Sequence, residues 1–233
     1  MYFRSVMSRD WKAIVKTVFG GFSFLLLVAV ISNAVAITAQ TVMENALEVY
    51  ENIEDYSAVV YTYQADSMDV SESIFDTQQP IVAFNLFFLK PNEHAIQEIG
   101  QSRHGIFRIE LLRVLGTLKD LDLVLQGKAS IPGRECHVLE VSSIERPQEM
   151  AKLWVSSKDW TVRQFSISIA SVEMIVTQFK LARVGRQQIL PIETRSFFPL
   201  TKLVYINRIT DYKINRGLGS ELFEKKDSEG QSK

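Results

Sequence analysis

The 233-residue chain is 46% hydrophobic and 23% charged, an ordinary globular composition with enough apolar residues to bury a sizeable core in one domain. Its net charge of −1 carries no sign of the basic footprint that nucleic-acid binding requires, so no nucleic-acid partner is expected. The single cysteine, Cys136, excludes an intramolecular disulfide and leaves the fold to packing alone.

Residues 1–36 stand apart. Arg4, Arg9, Lys12 and Lys16 lie there with only Asp10 against them, no charge falls between Thr17 and Met43, and the densest apolar part runs from Phe22 to Val35. Ala34, Val35 and Ala36 then give the small-x-small pattern of a secretory cleavage site, so the expectation is export, with a mature chain beginning near Ile37. The competing reading is an uncleaved anchor, because an uncharged run of this length can span a bilayer core of about 30 Å.

Val42, Ala46, Val49, Tyr50 and Ile53 make the stripe of an amphipathic helix, with Glu44, Glu48 and Glu51 on its other side. Tyr56 to Ala65 reads as a first strand with Val59, Tyr61 and Tyr63 on one parity. Asp66 to Gln79, acidic and serine-containing, reads as a loop or frayed hairpin. Ile81 to Leu89 is almost wholly apolar, which suits a strand buried on both faces, and Pro91 with Asn92 closes it. The polar stretch from Glu93 to Phe107 reads as loop.

Phe107, Leu111, Val114, Leu115 and Leu118 repeat the helical spacing and predict a second amphipathic helix from about Gly105 to Lys119. Leu121, Leu123 and Leu125 alternate as a strand before Gly127, and Ile131, Pro132 and Gly133 make a turn. From there to Phe223 the chain reads as a ladder of short antiparallel strands. Phe165, Ile167 and Ile169 oppose Gln164, Ser166 and Ser168; Leu153 and Val155 oppose Lys152 and Ser156, with Trp154 on the polar side. The apolar parity shifts between Val172–Val176 and Phe179–Leu181, which predicts a β-bulge near Thr177. Leu203 to Tyr212 is the last strand, and residues 224–233 read as a charged tail.

Catalytic patterns are missing from the sequence. His94, His104 and His137 are too few and scattered for a metal pattern, and the first two read as solvated loop histidines. Cys136 and His137, neighbours on a strand, point to opposite faces and cannot form a dyad, so Cys136 reads as a small buried residue. There is neither a glycine-rich phosphate loop nor a G-x-S-x-G elbow, so nothing here speaks for an enzyme.

The run Gly133, Arg134, Glu135, Cys136, His137, Val138, Leu139, Glu140, then Leu153, Trp154, Val155, then Ile209 to Asn215 with Leu222 and Phe223, resembles the LolA-like family of exported proteins. The apolar start, the first helix and the strand ending Leu89, Lys90, Pro91 agree in order. The resemblance implies an α+β, mainly antiparallel fold: an incomplete, half-open β-barrel whose concave apolar face is capped by amphipathic helices. It divides the chain into a signal peptide or anchor at 1–36, a lipid-binding domain at 37–223 and the tail. It implies a periplasmic carrier, or an inner-membrane-anchored protein facing the periplasm, that holds lipid or lipoprotein acyl chains without a cofactor and meets inner- or outer-membrane envelope proteins. Other proteins of this fold, such as the envelope-stress regulator RseB, bind a protein partner instead. On this reading Tyr61, Phe84, Leu86, Phe88, Leu153, Val155, Phe165, Ile167, Ile169 and Met174 line an acyl groove, with ordinary core as the competing assignment for each. Val42, Val49, Ile53, Phe107, Leu111 and Leu115 belong to its lid.

Overall fold

A computed structural model describes residues 37–91, 93–100, 108–119, 121–142, 148–185 and 187–223. The expected leader or anchor at 1–36, the tail at 224–233, and both His104 and Phe107 lie outside the described residues.

Ten strands form one sheet: β1 (Asp55–Ala65), β2 (Val82–Leu89), β3 (Glu93–Glu98), β4 (Asp122–Ile131), β5 (Arg134–Ser142), β6 (Glu149–Ser156), β7 (Val162–Ile169), β8 (Val172–Val184), β9 (Gln188–Phe198) and β10 (Leu203–Ile214). The order is β3-β2-β1-β10-β9-β8-β7-β6-β5-β4, and every pairing is antiparallel. The sheet is not closed among the described residues, so the expected α+β open-barrel class holds. Its edge strands, β3 and β4, are consecutive in the chain, and the link between them carries a helix (Leu111–Leu118). Among the described residues the other α-helices are α1 (Ala39–Glu48) and the short α2 (Ile74–Thr77), so the helix of the β3–β4 link is α3.

Alternation decides which side chains make the core. Val60 on β1 faces Phe84 on β2, Leu139 on β5 faces Leu153 on β6, and Leu153 faces Phe165 on β7, so that buried apolar pairs form at both ends of the sheet. Against the sheet α1 buries Val42, Met43 and Ala46, while α3 buries Leu111, Leu112, Leu115 and Leu118. Register shifts in five of the strand pairs add twist and bend the sheet around this core.

Several sequence expectations are corrected. The first helix ends at Glu48, not Ile53, because the amides of Tyr50 and Glu51 bond three residues back, to Leu47 and Glu48, and tighten the chain into turns. β2 is buried on one face only: Val82, Phe84, Leu86 and Phe88 point inward while Ala83, Asn85, Phe87 and Leu89 are half-exposed. Glu93 to Glu98 is a strand, pairing with β2, where a loop is expected. The bulge in β8 sits at Met174, since Ile167 pairs with Ile175 and Ser168 with Glu173. Thr177 stays in register because its hydroxyl hydrogen-bonds Ser196 Oγ across the sheet at 2.9 Å.

The segment after β1 is also more than a loop. Met68, Val70, Ile74 and Phe75 fold onto the convex face against Tyr63, Val204 and Ile206, and the Arg208 guanidinium lies 4.7 Å above the Phe75 ring. Two apolar faces therefore compete for β1. The inner one takes Tyr56, Ala58 and Val60, and the convex one takes Tyr61 and Tyr63.

Asp55 ties the two ends of the domain together. Its buried carboxylate accepts the amide N–H groups of Arg216 at 2.9 Å and Gly217 at 2.8 Å, where β10 runs out. Hydrogen bonds to a charged acceptor contribute about 1.5–3 kcal/mol, so Asp55→Ala is expected to lower stability by about that much. Amide exchange at Arg216 and Gly217 should rise well before the sheet unfolds; unchanged protection there would show that other contacts hold this end.

Candidate functional site

The two main helices leave space between them. A cleft of about 390 Å³ is lined by residues of α1 and the chain after it, by the end of β2, and by α3. Leu47, Ile53, Phe88, Leu112 and Leu115 supply its apolar surface, and the exposed Glu44, Glu48, Glu51, Lys90 and Lys119 stand around its rim. That volume falls within the range of small-ligand pockets, about 300–1,000 Å³. Charge is confined to the rim, and the buried Tyr50 adds to the lining the one aromatic hydroxyl.

Below α3 the sheet face is filled. Between Phe84, Leu86, Leu111, Leu112 and Leu190 the remaining void is about 20 Å³, room for roughly one water.

The expected groove residues thus fall into different places. Phe88 reaches the cleft, while Phe84 and Leu86 lie under α3. Leu153, Val155 and Phe165 are buried on the inner face. Ile167 continues their row half-buried, opposite Ala151 and Ile175, and Ile169 at the strand end is 40% exposed. Met174 is the half-buried residue at the bulge. Tyr61 belongs to the convex face, on the side away from all of these, because the segment after β1 covers it there. Among the lid residues, Val42 is buried in α1, Val49 caps it, Ile53 lies beyond it in the cleft, and Leu111 and Leu115 are buried in α3.

One polar cluster escapes the sequence reading. Glu110, at the N-cap of α3, is in ion-pair contact with His94 Nδ1 through one carboxylate oxygen and with Arg108 Nε through the other. The side chains of His94 and Glu110 are each only 4% exposed. His94 is therefore a buried strand residue, not a solvated one. It packs 5.1 Å from the Phe88 ring, which stacks on Tyr56 at 5.2 Å. Burial pushes the Glu110 carboxyl up, but its contacts with His94 and Arg108 outweigh that and hold it below the ordinary 4.5. Tyr56 and Tyr212 nearby are both pushed up, chiefly by burial. A start for α3 at Leu111 follows, since Glu110 is held in an extended conformation by its two partners. No local pattern announces this cluster: His94 and Glu110 meet only when β3 pairs with β2.

Cys136 and His137 take opposite sides of β5, as alternation requires. Burial raises the Cys136 thiol, and His137 stacks on Trp160 with ring centres 5.6 Å apart. Among the described residues no group of three or more His, Cys, Asp or Glu gathers that could hold a metal ion.

No protein-family model matches the chain, and no curated protein matches it in sequence. Solved structures do resemble it. A LolA superfamily protein from Nitrosomonas europaea superposes with a TM-score of 0.58 at 15% identity, over 82% of this chain and 99% of that one. The fold is that of the LolA superfamily. A DUF1329 family protein from Desulfovibrio piger follows at 0.54, with 11% identity over 81% of this chain and 98% of its own. A domain described as an outer-membrane lipoprotein-sorting protein, from Vibrio parahaemolyticus, gives 0.52 at 10% identity over 78% and 96%. At these identities the likeness concerns the fold alone.

Proposed function

We propose that this protein is an exported binding protein that takes acyl chains of a lipid or lipoprotein into the cleft between α1 and α3. The observation that carries the reading is the cleft itself: an apolar floor of Ile53, Phe88, Leu112 and Leu115 under two short helices, on a fold shared with a lipoprotein-sorting domain. Moving a chain out of water is favourable by about 0.8 kcal/mol per CH₂, so such a floor needs no directional chemistry to bind it. The uncharged run from Thr17 to Met43 supports delivery to the periplasm. Among the described residues no helix is long and apolar enough to cross a membrane.

The test is equilibrium binding of a fluorescent fatty acid to the full chain. Gly116 lines the cleft from within α3, where tryptophan has a higher helix propensity than glycine, so Gly116→Trp is expected to fill the space without unfolding the domain. Losing even two buried CH₂ groups weakens binding about tenfold. If the parent chain binds no acyl probe and yields no co-purifying lipid, the carrier reading fails and a protein-binding module of the same fold replaces it.

A further inference from the structure

A second cavity, of about 270 Å³, lies between the β4–β5 turn and the strands β7 and β8, and shares no residue with the cleft between the helices. Ile131 and Phe179 give it apolar walls, and Arg134, Arg163, Gln178 and Lys180 give it donors. Three cations on one cavity need anions.

The anions present are few. Asp159 serves both arginines through the same oxygen, accepting from Arg163 Nη2 at 2.8 Å and meeting Arg134 Nη1 at 3.5 Å. It also accepts the hydroxyl and amide of Thr161, and it is not among the residues that line the cavity. Lys180 contacts Glu72, but both are well exposed, 48% and 72%, and such a pair is weak in water. Arg163 is only 11% exposed, yet its Nε is buried with no hydrogen-bond partner among the described residues. That Nε is closed off even to water and offers nothing to a ligand in the cavity, so the site rests on the cationic groups of Arg134, Arg163 and Lys180 that line it.

We propose that this cavity is an anion site for a phosphate group. Two guanidiniums and an ammonium can donate to several phosphate oxygens at once, and arginine's fixed fork suits that geometry. The Ile131 and Phe179 walls leave room for an ester-linked substituent, so inorganic phosphate and the headgroup of a phospholipid are two sources of one chemistry. This inference stands whether or not acyl chains enter the other cleft.

The experiment follows the side-chain Nε–H signals of ¹⁵N-arginine in the full chain while inorganic phosphate, and separately water-soluble dibutyryl phosphatidate, is added. A saturable shift of the Arg163 signal is expected. Removing one charged donor by Arg134→Gln or Lys180→Gln should weaken phosphate binding about tenfold, and neither substitution touches the core. Equal affinity for the two probes identifies free phosphate as the ligand, and much tighter phosphatidate binding identifies a lipid headgroup. A shift that does not saturate, one that sodium chloride at equal ionic strength reproduces, or one that both variants leave unchanged overturns the site.

Discussion

Glu110→Gln is expected to destabilise the domain by about 3 kcal/mol, the lower end of what breaking a buried ion pair costs, because Arg108 keeps some access to water. The substitution preserves shape, so the loss reports charge and not packing. Its pH signature has a definite sign. The carboxyl titrates below its ordinary 4.5 in the folded protein, so its contribution is fully present above 4.5 and is lost as the pH falls through the lower folded value. Urea midpoints measured between about pH 7 and pH 3 should therefore drop on the acid side in the parent and drop less in Glu110→Gln. A second readout is local. Val114 donates its amide to the Glu110 carbonyl at the start of α3, so its exchange protection should fall in the variant. Equal midpoints and equal acid limbs would mean that the contact with His94 does not hold α3.

What could be read from the sequence divides along the range of the contacts. From β5 to β10 each strand pairs with its neighbour in the chain, and period-two alternation alone places Leu153, Phe165 and Ile167 in one row and Trp154, opposite Val138 and Gln164, in the other. Helices α1 and α3 are equally legible, because their stripes are local. The misread places all depend on something distant. Tyr61 carries the parity signal of a core residue, but the apolar surface it meets comes from the segment after β1, where Met68, Val70, Ile74 and Phe75 are dispersed among acidic residues. His94 sits in a polar stretch whose strand character comes from pairing with β2, and its partner Glu110 lies sixteen positions further along the sequence. The fate of the groove is a third case. Strand alternation supplies an apolar face, but whether helices fill it depends on how Leu111 and Leu112 fit over Phe84 and Leu86, which spacing does not encode.

Phe84→Ala is expected to cost about 3–5 kcal/mol, since the ring is fully buried beneath α3 and its removal leaves a cavity in a closely packed region. Tyr61→Ala on the convex face, half-buried, should cost about 1 kcal/mol. Comparable losses at the two positions would mean that the face assignment of β1 is wrong. The same variant also asks where an acyl chain ends. A cavity opened under α3 is apolar and gains from any chain that enters it, and ligand that binds only the folded state raises stability in proportion to its affinity. If the chain threads past Phe88 onto the sheet, a fatty acid will raise the midpoint of Phe84→Ala more than that of the parent. If the two shifts are equal, the ligand stays in the cleft between α1 and α3, and the inner face of the sheet is core.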